Sequence, residues 1–120
     1  MTLNTAWVGM THTGLARDHN EDNYFVDSEQ GTGMVADGMG GHESGEVASA
    51  LAIQAAHHAL AQGAGLVEAL LQAHATIVKH PKSGGAKTMG TTGVLVRVQG
   101  SQAEVAWVGD SRASVSYTHL

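Results

Sequence analysis

Met34-Val35-Ala36-Asp37-Gly38-Met39-Gly40-Gly41-His42 runs from a short apolar segment into a glycine-rich stretch, and a helix-like pattern opens near Ser44. A carboxylate that closes a strand and is followed by glycines suits cation coordination. The backbone can turn sharply there, and its carbonyls can reach an ion unobstructed. Upstream, Arg17-Asp18-His19-Asn20-Glu21-Asp22 gathers three more carboxylates and a cation in one short segment. Downstream, Gly109-Asp110-Ser111-Arg112 ends another apolar run with another Asp. Acids thus stand at three strand edges, a pattern that points to a divalent-metal phosphate site.

Working outward, residues 5–10, 23–26 and 33–36 read as short strands, with Thr11-His12-Thr13-Gly14 as a turn. Residues 46–61 read as a helix, because Val47, Ala50, Leu51 and Leu60 recur at roughly helical spacing and alanine is frequent. Gly63 and Gly65 stop it. Residues 66–78 form a second helix with Leu66, Leu70, Ala73 and Ile77 on one stripe, ended before Pro81. Residues 80–87 are a polar Gly/Lys loop. Residues 91–98 and 103–108 are strands joined as a hairpin through Gln99-Gly100-Ser101-Gln102. The order predicts an α+β fold, with a helical pair packed on an antiparallel sheet.

A chain of 120 residues suits one domain and is too short for two. With 42% hydrophobic residues and few aromatics, the core is built from Ala, Val and Leu. A formal charge of −5 argues against nucleic acid as a partner, which needs a clustered basic face. An acidic protein that handles phosphate must bring its own cations, and metal ions supply them. The absence of cysteine excludes disulfides, thiolate zinc sites and cysteine nucleophiles. The first residues carry neither a basic nor an apolar leader region, and the most apolar stretch, 47–61, is too short to span a bilayer. The expectation is a cytoplasmic protein without a membrane partner.

Other residues carry plainer readings. Trp7 and Trp107 are expected to pack in or beside the core. His57 and His58 are adjacent on a helix and point different ways, so they share no metal. His12, His74, His80 and His119 have no ligand partner at a recognisable spacing. Lys79, Lys82 and Lys87 around Gly84-Gly85 lack the order of a phosphate-binding loop and read as a solvated segment.

Each acidic turn alone is ordinary; their conjunction, in this order and with these flanks, is not. Thr13-Gly14 with Arg17-Asp18-His19-Asn20-Glu21-Asp22 resembles the first motif of the metal-dependent, type-2C serine/threonine protein phosphatases in their bacterial branch. Val35-Ala36-Asp37-Gly38-Met39-Gly40-Gly41-His42, continuing as Gly45-Glu46-Val47-Ala48-Ser49, resembles the second. Met89-Gly90-Thr91-Thr92 and Trp107-Val108-Gly109-Asp110-Ser111-Arg112 resemble later blocks of that family. Any one motif is weak, and four in sequence are strong.

The resemblance implies a hydrolase that removes phosphate from phosphoserine or phosphothreonine on proteins, with two or three Mn²⁺ or Mg²⁺ ions in the complete domain. Asp37 would bridge two ions and the Gly38 carbonyl would bind one of them. Glu21 would bind that ion through water, and Asp22 would hold metal-bound waters by hydrogen bonds. Asp110 would belong to an additional metal site. Arg17 would grip the substrate phosphate, which suits its planar guanidinium. Hard oxygen ligands select such ions, which activate water for in-line attack on phosphorus without a covalent phosphoenzyme. The partner would be a phosphorylated protein, a target of a serine/threonine kinase.

Two departures stand out. Some members carry a His after the Asp-Gly pair as a proposed general acid; here it is Met39, so either His42 takes part or water protonates the leaving oxygen, the latter favoured. Family domains are about twice this length, and their second half supplies two further Asp ligands. The chain is therefore expected to be the N-terminal portion of one truncated domain, part of a four-layer α-β-β-α sandwich with antiparallel sheets. Two other classes compete: a catalytically silent phosphatase-like regulatory or binding module, and a structural α+β domain with accidental acid turns. Turnover of p-nitrophenyl phosphate with Mn²⁺ separates the enzyme from the silent module. The agreement of four motifs disfavours the accidental domain.

Overall fold

A computed structural model describes residues 6–12, 14, 20–40, 44–81, 89–110 and 113–114. The elements run β1 (Asp22–Asp27), β2 (Thr32–Gly40), α1 (Ser44–Ala61), α2 (Leu66–Lys79), β3 (Met89–Thr91), β4 (Gly93–Gln99) and β5 (Gln102–Val108). All strand pairs are antiparallel, in the order β1-β2-β4-β5, with β3 also paired to β2. The fold is α+β, a helical pair on an antiparallel sheet, as its sequence predicts.

Local chemistry sets the boundaries. β1 and β2 join through a tight turn in which the Gln30 N–H donates to Asp27 Oδ1 at 3.1 Å. The turn closes on Gly31 (φ 67°), where a Cβ would lie 2.4 Å from the Val98 carbonyl oxygen, so only glycine fits. α1 ends in a Schellman motif: Gly63 (φ 96°) donates to the Leu60 carbonyl at 3.0 Å and Ala64 to the Ala59 carbonyl at 3.0 Å. α2 stops at His80, ahead of Pro81, as the sequence indicates.

Reading the registers across the sheet gives rows of side chains. Phe25, Met34, Leu95 and Ala106 form one row toward the helices, and all but the half-buried Ala106 are buried. Against it pack Ala48, Ala52, Ile53 and Ala56 of α1, and Leu66, Ala69, Ala73 and Ile77 of α2 complete the core. The buried stripe of α1 is therefore mostly alanine. Of the four residues expected there, only Leu60 is fully buried, and Val47, Ala50 and Leu51 are half-buried. Alanine occupies the inner stripe because α1 lies against β1, β2, β3 and α2 at once, which leaves little room for larger side chains.

Three expectations about strands need correction. Residues 6–10 carry no strand pairing among the described residues; they lie over the sheet, with Trp7 against Gly33 and Tyr24 against Gly9. β2 does not end at Ala36 but runs through Asp37 and the glycines to Gly40, because β3 supplies a second partner there. The run expected at 91–98 is divided at Thr92 into β3 and β4. Trp107 also departs from expectation: it is 65% exposed, on the sheet face away from the helices. The 82–88 segment lies outside the described residues.

Candidate functional site

Strand register builds the site. Asp22 lies directly opposite Asp37 in the β1–β2 pairing, so the two carboxylates share one face of the sheet, the face away from the helices. Neighbouring residues fix their backbones. The Asp22 N–H donates to Asn20 Oδ1 at 3.0 Å, and Asn20 Nδ2 donates to Thr11 Oγ1 at 2.6 Å. The Gly38 N–H donates to the Glu21 carbonyl at 3.1 Å, so the polar groups of Gly38 face β1 at the same end of the sheet. On its other side Asp37 meets Thr92: its carbonyl accepts the Thr92 N–H at 2.9 Å and its N–H donates to Thr92 Oγ1 at 3.1 Å.

The glycines here are required by close approach rather than by turning. A Cβ on Gly38 would lie 1.8 Å from the Gly45 carbonyl oxygen, where the first turn of α1 meets β2. A Cβ on Gly45 would lie 2.8 Å from Glu21 Oε2. The Glu21 carboxylate thus sits beside the N-terminus of α1, where the helix dipole favours negative charge. That is the opposite side of the strand from Asp22 and Asp37.

Asp22 and Asp37 are exposed and line a cleft of about 400 Å³ with Met10, Thr11, His12 and Tyr24. The His12 ring accepts the Gly14 N–H through Nδ1 at 2.8 Å. Among the described residues, no group of three or more His, Asp or Glu side chains stands close enough to hold an ion. The donors do fit a hard divalent ion: two carboxylates and the Gly38 backbone carbonyl, all oxygen, with the carboxylates open to solvent on one face.

Asp110 is exposed beyond the end of β5, where Gly109 (φ 94°) turns the chain and a Cβ would lie 2.6 Å from Thr92 Cγ2. It stands at the same end of the sheet as Asp37, two strands or about 10 Å away. The structure therefore brings Asp22, Asp37 and Gly38 together, turns Glu21 toward α1, and sets Asp110 apart. Arg17 and His42 lie outside the described residues. Asn20 and Thr92 carry the local geometry without having been singled out in the sequence. Each stands inside a quoted motif, and nothing local distinguishes it from a solvated polar residue.

The family model for protein phosphatase 2C matches residues 11–118. The serine/threonine phosphatase stp of Listeria monocytogenes is 35% identical over 124 residues, covering 92% of this chain and 49% of its own length. The serine/threonine protein phosphatase PstP of Mycobacterium tuberculosis is 34% identical over 122 residues, covering 93% of this chain and 23% of its own. The crystal structure of the PstP catalytic domain in complex with two manganese ions superposes with a TM-score of 0.72. It is 32% identical and covers 84% of this chain and 46% of that one. The chain spans about half the length of the Listeria relative.

Proposed function

The chain belongs to the protein phosphatase 2C family, and from that premise we propose that it forms the N-terminal portion of a metal-dependent serine/threonine protein phosphatase domain. The observation that carries this reading is the placing of Asp22 opposite Asp37 on an exposed sheet face, beside the Gly38 backbone. Two carboxylates and a backbone carbonyl on one solvent-facing strand pair are the oxygen donors that a hard divalent ion takes. The manganese in the PstP structure, at 32% identity, supports the same choice of ion.

In this reading Asp37 and the Gly38 carbonyl would hold Mn²⁺ or Mg²⁺, with Asp22 placed to hydrogen-bond water there. Glu21, whose carboxylate faces α1, would act only through water, and Asp110 would serve a further ion at the same end of the sheet. Such ions, when bound, acidify water and neutralise charge on the phosphoryl oxygens. Arg17 holds the substrate phosphate by paired hydrogen bonds. Met39, directly after Asp37-Gly38, carries no proton, so the leaving oxygen takes its proton from water. The substrate is a phosphoserine or phosphothreonine protein modified by a serine/threonine kinase, and the enzyme acts in the cytoplasm without nucleic acid or membrane. No helix among the described residues is long and apolar enough to cross a membrane.

The domain reading rests on coverage: the chain matches 49% of the Listeria phosphatase. The remainder of the domain supplies two further Asp ligands and a second sheet, which closes a four-layer sandwich over the face bearing Asp22 and Asp37. The test uses the full-length protein with millimolar Mn²⁺, p-nitrophenyl phosphate and a phosphothreonine peptide. Turnover that disappears in Asp37→Asn supports the proposal. A protein that binds Mn²⁺ and turns over neither substrate is instead a silent regulatory module.

A further inference from the structure

The backbone around Asp37 departs from a regular ladder at one point. In an antiparallel hydrogen-bonded pair, opposed residues exchange two N–H···O=C bonds. At Asp37 and Thr92 only one of these exists, the Thr92 N–H to the Asp37 carbonyl at 2.9 Å. The Asp37 N–H goes instead to the Thr92 side chain, donating to Oγ1 at 3.1 Å. The Thr92 carbonyl is taken by Thr91 Oγ1, which donates to it at 2.8 Å. This exchange divides β3 from β4, although the pairings on either side, Gly38 with Thr91 and Val35 with Val94, keep a single register.

Thr92 is also held from behind. It is 5% exposed, and its methyl group faces Gly109, whose backbone comes so near that a Cβ would lie 2.6 Å from Cγ2. A β-branched side chain has few χ1 choices, so fixing the methyl also fixes the hydroxyl. One buried side chain thereby joins the Asp37 backbone to the turn that carries Asp110.

We propose that Thr92 is a positioning residue for the metal site: its hydroxyl, by accepting the Asp37 N–H, sets the peptide from which the Asp37 carboxylate projects. The inference rests on reading Asp37 as a metal ligand. Without the hydroxyl, the carbonyl of residue 92 is the nearest replacement acceptor. Recovering it would restore the regular ladder and rotate the Asp37 peptide.

The experiment compares Thr92→Val, which keeps the shape, with Thr92→Ser, which keeps the hydroxyl, in the full-length protein. Mn²⁺ affinity by calorimetry, kcat, KM for a phosphothreonine peptide and the thermal midpoint are measured on each. Thr92→Val should lose about 10-fold or more in Mn²⁺ affinity, the effect of removing an outer-shell partner. Its kcat should fall while KM stays within about twofold, because Thr92 touches no substrate. Thr92→Ser should retain affinity and kcat near wild type. If Thr92→Val does not fold, Thr92→Ala against Thr92→Ser makes the same comparison, since both lack the methyl group and differ only in the hydroxyl. Wild-type affinity and kcat in folded Thr92→Val, or equal losses in the Ser and Ala variants, overturn the proposal. If Asp37→Asn binds Mn²⁺ as wild type does, the metal reading of Asp37 fails and takes this inference with it.

Discussion

Asp22 and Asp37 stand opposite each other across two strands, on the exposed face of the sheet. In the full-length protein Asp37→Asn should abolish Mn²⁺-dependent turnover and weaken Mn²⁺ binding, because an amide is a poorer ligand for a hard cation than a carboxylate. Turnover assays paired with Mn²⁺ calorimetry check both; wild-type values in Asp37→Asn would remove Asp37 from the site. Gly38 is constrained more tightly. Its backbone is ordinary for a strand, but a Cβ would meet the Gly45 carbonyl oxygen at 1.8 Å, and backbone cannot swing away as a side chain can. Gly38→Ala should therefore cost about 3 kcal/mol or more, the upper range of overpacking, measured as the shift in denaturation midpoint. A neutral Gly38→Ala would show that α1 can lift from β2 at little cost.

Between elements, α1 and β1 are tied at the end of the sheet remote from the acid row. His57 Nε2 lies 2.9 Å from Asp27 Oδ2, and its ring stacks on Phe25 with centroids 4.3 Å apart. The sequence placed His57 on the helix, where the structure has it. It carried no sign of Asp27 as a partner, because the two are 30 residues apart and meet only when the helix docks on the sheet. The hydrogen bond from His57, followed by that from the Gln30 backbone, holds the Asp27 carboxyl below its usual 3.8. A depressed folded value means that the unfolded chain takes up the proton first. The stabilising contribution is thus present above the unfolded value and is lost as pH falls through the folded one. Denaturation midpoints between about pH 5 and pH 2 should fall less steeply in Asp27→Asn than in wild type. Parallel curves would remove Asp27 from the acid response. At the same end, Arg97 Nη2 donates to the Ala64 carbonyl at 2.9 Å and fastens the α1–α2 turn to β4.

Across the whole molecule, the two faces of the sheet differ in kind. The helix-bearing face carries the core, with an apolar cleft of about 740 Å³ left open between α2 and the β3–β5 part of the sheet. The other face carries Tyr24, Val35, Val94 and Trp107 in one cross-strand row next to the acid row, and Val35 and Trp107 are exposed. An apolar row of this sort, together with the edges that β1 and β5 form among the described residues, seeks cover. Residues 1–120 alone should associate with themselves in a concentration-dependent way, seen by sedimentation, and Val35→Lys with Trp107→Lys should reduce that association. A wild-type chain that stays monomeric at high concentration would show that the segment around Trp7 already covers the face well enough. In the complete phosphatase domain proposed above, a second sheet would fill this role and bury the row.

Both helices, the two hairpins that flank them and several element ends were written in the local sequence: helical spacing, the glycines after α1, Pro81 after α2 and the turn at Gly100-Ser101. These signals act within a few residues and need no partner. The four motifs likewise sufficed to indicate the family. The tertiary structure alone decided what each residue faces. It extended β2 past Asp37 to Gly40, because β3, far downstream in the chain, pairs with Gly38, Met39 and Gly40. It put alanines rather than the larger residues on the inner stripe of α1, exposed Trp107, turned Glu21 toward a helix end and gave the Asp37 N–H to a threonine hydroxyl. The physical reason is that strand register is a long-range property: a slip of one residue exchanges the faces, and only docked neighbours prevent it.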